Sequence, residues 1–143
     1  MNRRQFIRMG MTGVGAGIVA PQLVLASASA SQATPAGGIY FTKDAPGRWS
    51  KKISGHLPHI EIQKVDTNAV IEVTTGHEMK GFEHYIVKHV LLDKDFQFLK
   101  EHMFNPNKDL QAISKFTLNN YNGPIHVLSV CNKHDTWLNL AEI

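Results

Sequence analysis

A single cysteine, Cys131, stands in 143 residues, so no internal disulfide can form and the fold must rest on its core. A chain of this length can bury such a core, and one domain is its ceiling. Long apolar runs are also scarce. The one charge-free stretch, Met9 to Ala30, carries Gly10, Gly13, Gly15, Gly17 and Pro21, which leaves it weakly hydrophobic and argues against a membrane anchor. No later segment approaches spanning length, and no internal repeat or low-complexity segment follows. Net charge is scarce as well. The formal +3 comes from Arg3, Arg4 and Arg8; fifteen basic side chains less those three leaves twelve, against twelve acidic ones. A neutral domain offers no basic face for phosphates, so nucleic acid is not expected as a partner.

What is present begins at the N-terminus. Arg3-Arg4-Gln5-Phe6-Ile7-Arg8, followed by a Gly- and Ala-rich run, reads as a twin-arginine export signal over residues 1–30. Leu25-Ala26-Ser27-Ala28-Ser29-Ala30 offers cleavage after Ala28 or Ala30. The expected product is periplasmic or otherwise exported, without a membrane span. It would have an irregular arm over 31–50 and a domain over 51–143. In an oxidising compartment a lone cysteine is an inert buried thiol, an intermolecular partner or a metal thiolate. The twin-arginine route carries folded cargo, which suits a protein loaded with metal before export.

Along the domain, Ile60 to Val65 and Ala69 to Thr74 alternate apolar and polar residues about a turn at Asp66-Thr67-Asn68. His84 to Leu92 and Phe96 to Leu99 read as a strand pair across Asp93-Lys94-Asp95, and Asn105-Pro106-Asn107 marks the next turn. Leu110 to Leu118 alternates again, and Ile125 to Val130 reads as a final buried strand leading into Cys131. Short strands, frequent turns and no convincing helix predict an all-β fold, an antiparallel β-sandwich.

The chemistry concentrates at Cys131-Asn132-Lys133-His134, a C-x-x-H whose spacing lets a thiolate and an imidazole converge on one metal. Three more histidines sit at loops or strand edges: His56 in Gly55-His56-Leu57-Pro58, His77 in Gly76-His77-Glu78-Met79, and His84 in Glu83-His84-Tyr85-Ile86. Loops on a rigid scaffold are where distant ligands meet. His59, His89, His102 and His126 have no such motif and read as strand or surface residues, with His59 the nearest rival.

Taken in chain order, with the His77 and His84 stretches as one element, these four stretches resemble the H-x-P, H-P-M…H-Y-I and C-N-x-H motifs of superoxide reductases, the desulfoferrodoxin or neelaredoxin family, over roughly Ile53 to Trp137. The resemblance implies an immunoglobulin-like sandwich holding one mononuclear non-haem iron (Fe2+/Fe3+). His56, His77, His84 and His134 would be equatorial and Cys131 axial. The implied reaction is one-electron reduction of superoxide to hydrogen peroxide, with an external one-electron donor restoring the ferrous state. Imidazoles suit ferrous iron, and a thiolate opposite an open position pushes electron density toward it. A homo-oligomer is compatible with the sequence.

Three departures from the family pattern stand out. Ser54-Gly55 occupies the place of the family's Glu-Lys, which removes its usual cation and carboxylate. Lys51, Lys52, Lys80 and Lys133 are candidates to supply the charge, Lys80 the most attractive for its place between two ligands, beside the ordinary reading of a solvated surface lysine. His77-Glu78 replaces His-Pro in a loop one residue longer, and Glu78 is a candidate sixth ligand. Asp135 replaces Gly, as a hydrogen-bond partner of an imidazole or a turn cap. Tyr85 and Trp137 are expected to pack in the core or shield the iron.

Two other classes compete. An electron-transfer cupredoxin needs two His, one Cys and usually a downstream Met, and no Met follows His134. An iron-binding or electron-transfer sandwich without efficient superoxide reduction, or a metal-free module, is the other.

Overall fold

The computed structural model describes residues 33–143, so the signal expected over 1–30 lies outside the described residues. Seven strands follow one another: β1 (His59–Val65), β2 (Asn68–Glu78), β3 (Ile86–Leu92), β4 (Phe98–Met103), β5 (Gln111–Asn119), β6 (Pro124–Cys131) and β7 (Asp135–Glu142). They form two antiparallel sheets, ordered β1-β2-β5 and β4-β3-β6-β7, and the expected all-β immunoglobulin-like sandwich is what the chain adopts. Period-two patterning explains why. On β5, Ala112, Ser114, Phe116 and Leu118 point inward between exposed neighbours; on β6, Ile125, Val127, Ser129 and Cys131 point inward between half-buried ones. Ile71, Val73, Leu91, Ile125 and Val127, all fully buried, fill one end of the sandwich. Ile86, Phe104, Ala112 and Cys131 close the other.

Three elements differ from the sequence expectation. The strand through Val130 is not the last, because β7 pairs with β6 from Cys131↔Asp135 to Pro124↔Glu142. It was hard to read because inward Trp137 alternates with half-buried Leu138 and with Leu140, which is exposed on the outer face. Hence C-x-x-H lies in a tight hairpin and not in a terminal loop. β4 begins and ends later than Phe96 to Leu99, since Lys100-Glu101-His102 belongs to an edge strand that is exposed almost throughout. Finally, Ile53–His56 makes one helical turn, closed by the Leu57 N–H donating to the Ile53 carbonyl at 2.9 Å.

The arm over 31–50, described from residue 33, is largely irregular but docked. The Phe41 N–H donates to the Thr136 carbonyl and the Leu138 N–H to the Phe41 carbonyl, at 2.9 and 2.8 Å, which adds a short bridge beside β7. Gly47, at φ +48, lies so close to Gly37 that a Cβ there would stand 2.2 Å from the Gly37 carbonyl oxygen. Only glycine permits that approach.

Between the two ends of the core lies a buried polar cluster that ties the sheets together. His89 on β3 bonds Thr75 of β2 through Nε2 at 2.8 Å and Ser114 of β5 through Nδ1 at 2.7 Å. Thr75 also meets Ser129 of β6 at 2.8 Å. Burial pushes the His89 pKa from 6.5 down to about 3. The folded chain therefore refuses a proton that the unfolded chain accepts, so this stability is complete above about pH 6.5 and is lost as pH falls toward 3. Between pH 7 and pH 4.5 the loss from His89 amounts to about 2.5 kcal/mol. Urea titrations at the two pH values should show His89→Phe less stable than wild type at pH 7 but flatter with pH by about that amount. Parallel pH dependences would show that His89 titrates normally.

Candidate metal centre

Five side chains from four places in the chain converge at the Cys131 end of the sandwich. The ligand atoms of His56, His77, His84, Cys131 and His134 all lie within 4.8 Å of one another. Each arrives by a distinct local device. His56 ends the single helical turn after the arm. His77 sits where the β2–β5 register shifts between Thr75 and Glu78, so a bulge turns its side chain off the ladder. His84 follows the 3-10 turn Gly81–Glu83. Cys131 closes β6, and His134 lies in the hairpin before β7.

The spacings of four ring nitrogens fit a square. His56 Nε2 is 3.0 Å from His134 Nδ1, His134 Nδ1 is 3.1 Å from His84 Nε2, and His84 Nε2 is 3.0 Å from His77 Nε2. The corners of such a square stand about 2.1 Å from its centre, the length of a bond from imidazole to a first-row metal. Cys131 Sγ lies 3.8 Å from His77 Nε2 and 3.7 Å from His134 Nδ1, two opposite corners. A point in the plane at those distances would collide with another corner, so the sulfur is out of the plane.

Tautomers are set from outside the square. His56 Nδ1–H donates to the Lys52 carbonyl at 2.9 Å, and His77 Nδ1–H donates to the Glu78 carbonyl, which leaves both Nε2 lone pairs facing inward. Burial, opposed by the hydrogen bond to Lys52 and reinforced by the other imidazoles, lowers the His56 pKa from 6.5 to about 4. Burial likewise lowers His77, His84 and His134. At neutral pH the rings are therefore neutral donors. Converging lone pairs 3 Å apart repel unless a cation lies between them, and four imidazoles with one thiolate form a donor set that fits iron. A blue-copper site, with two imidazoles, does not match this set.

The two faces of the square differ. Cys131 is buried against Ile86, Phe104 and Ala112, and the Lys133 N–H donates to its sulfur at 3.5 Å. The other side is an open cleft of about 240 Å³, lined by Lys51, Lys52, Ser54, Gly55, Gly76, Glu78 and three of the histidines, but not by Cys131.

The remaining expectations resolve as follows. Glu78 and Lys80 pair with each other at 2.6 Å, both well exposed, and Glu78 is not among the converging donors. The pairing lowers the Glu78 pKa and raises that of Lys80. Asp135 meets no imidazole; its carboxylate accepts from Trp49 Nε1 at 2.8 Å and pairs with Arg48. Trp137 is fully buried, donates its indole N–H to the His134 carbonyl at 2.9 Å and packs beside His56. Tyr85 is half-buried and packs on Phe82. His59 pairs with Glu61 on the surface.

One contributor escaped the sequence reading. Asn132 accepts from the Tyr85 N–H at 3.0 Å and donates to the Phe82 and Glu83 carbonyls at 3.2 and 3.0 Å, clasping the His84 loop to the Cys131 hairpin. Its sequence signal is the Asn of the C-N-x-H motif, which marks the residue without showing its partners. Asn132→Ala should loosen His84 and speed loss of bound metal to a chelator by about tenfold, while the melting temperature of the metal-free protein falls only slightly. An unchanged release rate would remove Asn132 from the site.

A family model described as Desulfoferrodoxin matches residues 48–140. No curated protein sequence matches the chain. Among solved structures, the superoxide reductase (neelaredoxin) of Ignicoccus hospitalis is 27% identical over 75% of this chain and 95% of its own, with a TM-score of 0.62. The superoxide reductase of Nanoarchaeum equitans is 19% identical over 63% of this chain and 94% of its own, with a TM-score of 0.55, a likeness of fold.

Proposed function

The chain belongs to the desulfoferrodoxin family, and on that premise we propose that it is a non-haem iron superoxide reductase. The observation that carries this is the square of four imidazole nitrogens with a buried thiolate out of its plane and an open cleft lined by three of the histidines. His56, His77, His84, His134 and Cys131 would hold one iron. Bound there, iron would supply the single electron that converts superoxide, with two protons, to hydrogen peroxide, and an external one-electron donor would replace that electron.

The chain's own residues do the rest. Backbone carbonyls at Lys52 and Glu78 hold His56 and His77 as inward-facing donors. The dry pocket around Cys131 keeps its sulfur away from solvent and oxidants, and a thiolate donor favours electron release toward the opposite face. The wet cleft admits a small anion and water to carry its protons.

The missing family lysine finds its substitute in Lys52. Lys80 is neutralised by Glu78. Lys52 is exposed on the cleft, makes no ion pair among the described residues, and its charge bears on His77, His84 and His134. Glu78 and Lys80 are assigned to the rim. Gly55 is not sterically obligatory, since a Cβ there would meet only the Gly76 carbonyl oxygen at 3.8 Å.

Pulse radiolysis of the ferrous protein tests both parts. About one peroxide should form per iron oxidised; a ratio near zero would leave an iron protein without this activity. Lys52→Ala should lower the second-order rate by about tenfold at low salt and Gly55→Lys should restore it, both effects fading as salt rises. Rates indifferent to both changes would contradict steering by Lys52.

Arg3-Arg4 and the small residues up to Ala30 support export by the twin-arginine route, and among the described residues no helix is long and apolar enough to cross a membrane. Arg3→Lys with Arg4→Lys should leave the protein in the cytoplasm on fractionation. Export that survives the double change would contradict that route.

A further inference from the structure

Asp135 holds a left-handed backbone conformation, φ +64, directly after His134. Glycine takes this conformation freely, whereas a residue with a Cβ does so at a cost. A carboxylate kept there asks what it holds. Its Oδ2 accepts the Trp49 indole N–H at 2.8 Å and pairs with the Arg48 guanidinium. The Trp49 ring stands 4.7 Å from the His134 ring, nearly perpendicular to it, and Arg48 lies 5.0 Å from the Trp49 ring. The arm is thereby drawn against one edge of the imidazole square.

His134 differs from His56 and His77 in a way that makes this contact matter. Those two rings are oriented by backbone carbonyls on their outer nitrogens. His134 alone presents Nδ1 to the centre, and among the described residues no backbone carbonyl accepts from its outer nitrogen. Its rotation is limited by what its ring touches: the His56 and His84 rings within the centre, and Trp49 outside it. The arm is built to deliver Trp49 there: Phe41 is pinned to Thr136 and Leu138, and Gly47 packs where no side chain fits.

We propose that Asp135 is a positioning residue for His134, acting through a Trp49–Arg48 latch that fixes the imidazole and slows release of the metal. The proposal rests on the five residues above being a metal centre. In the absence of the latch, His134 keeps its place in the chain but gains freedom of rotation, so metal leaves through its corner.

The test uses the full domain loaded with Co(II), followed by its thiolate-to-cobalt absorption and by its transfer to excess chelator. Asp135→Gly relieves the backbone and removes the latch; it should release cobalt about tenfold faster and shift the ligand-field bands. Trp49→Phe, which keeps a ring but loses the N–H, should do the same. Asp135→Asn keeps an oxygen for the indole and tolerates the left-handed backbone, so it should stay close to wild type. The Asp135→Gly, Trp49→Phe double variant should be no worse than either alone. Wild-type spectrum and release in Asp135→Gly, or losses that add in the double variant, would overturn the latch. Absence of the thiolate band in the wild type would overturn the metal centre itself, and the latch with it.

Discussion

Four imidazole lone pairs aimed at one point are an unfavourable arrangement unless a cation occupies it, and this constraint organises the rest of the structure. The ring nitrogens lie 3.0 to 3.1 Å apart along three edges of their square. Two of the rings are held in the inward-facing tautomer by backbone carbonyls, and burial, which depresses the pKa values, is what keeps protonation from relieving the crowding. With iron bound, the Cys131 thiolate would add electron density to it.

The sandwich delivers this arrangement through its irregularities. The regular ladders end near the site: β2 shifts register before Glu78, and β3 shifts against β6 between Ile86 and Lys88. Bulges of this kind re-aim side chains at the cost of local pairing. Rigidity is restored by side chains. His89 and its hydroxyl partners fasten both sheets two residues before His77 and Cys131, and Asn132 joins the hairpin to the His84 loop. The arm supplies a further clamp at His134.

Much of this was legible in the sequence, for identifiable reasons. Alternation on β2, β5 and β6 marks strands because one face of each is buried. The five donors were recognisable because four short motifs carry them, and the structure brings those five together without His59, His89, His102 or His126. β7 was missed because Trp137 and its neighbours break the simple alternation, and β4 was misplaced because an edge strand carries charge. Lys80 was favoured over Lys52 as the free cation because spacing cannot show that Glu78 pairs with it. The roles of Asn132 and Trp49 were invisible for the same reason, since each acts across dozens of residues.

The account stands or falls on what surrounds the metal. X-ray absorption at the iron edge of the ferrous protein addresses it most directly. The geometry predicts four nitrogen neighbours and one sulfur neighbour, with the sulfur lost in Cys131→Ser while nitrogen remains. A shell of oxygen and nitrogen alone in the wild-type protein would contradict it.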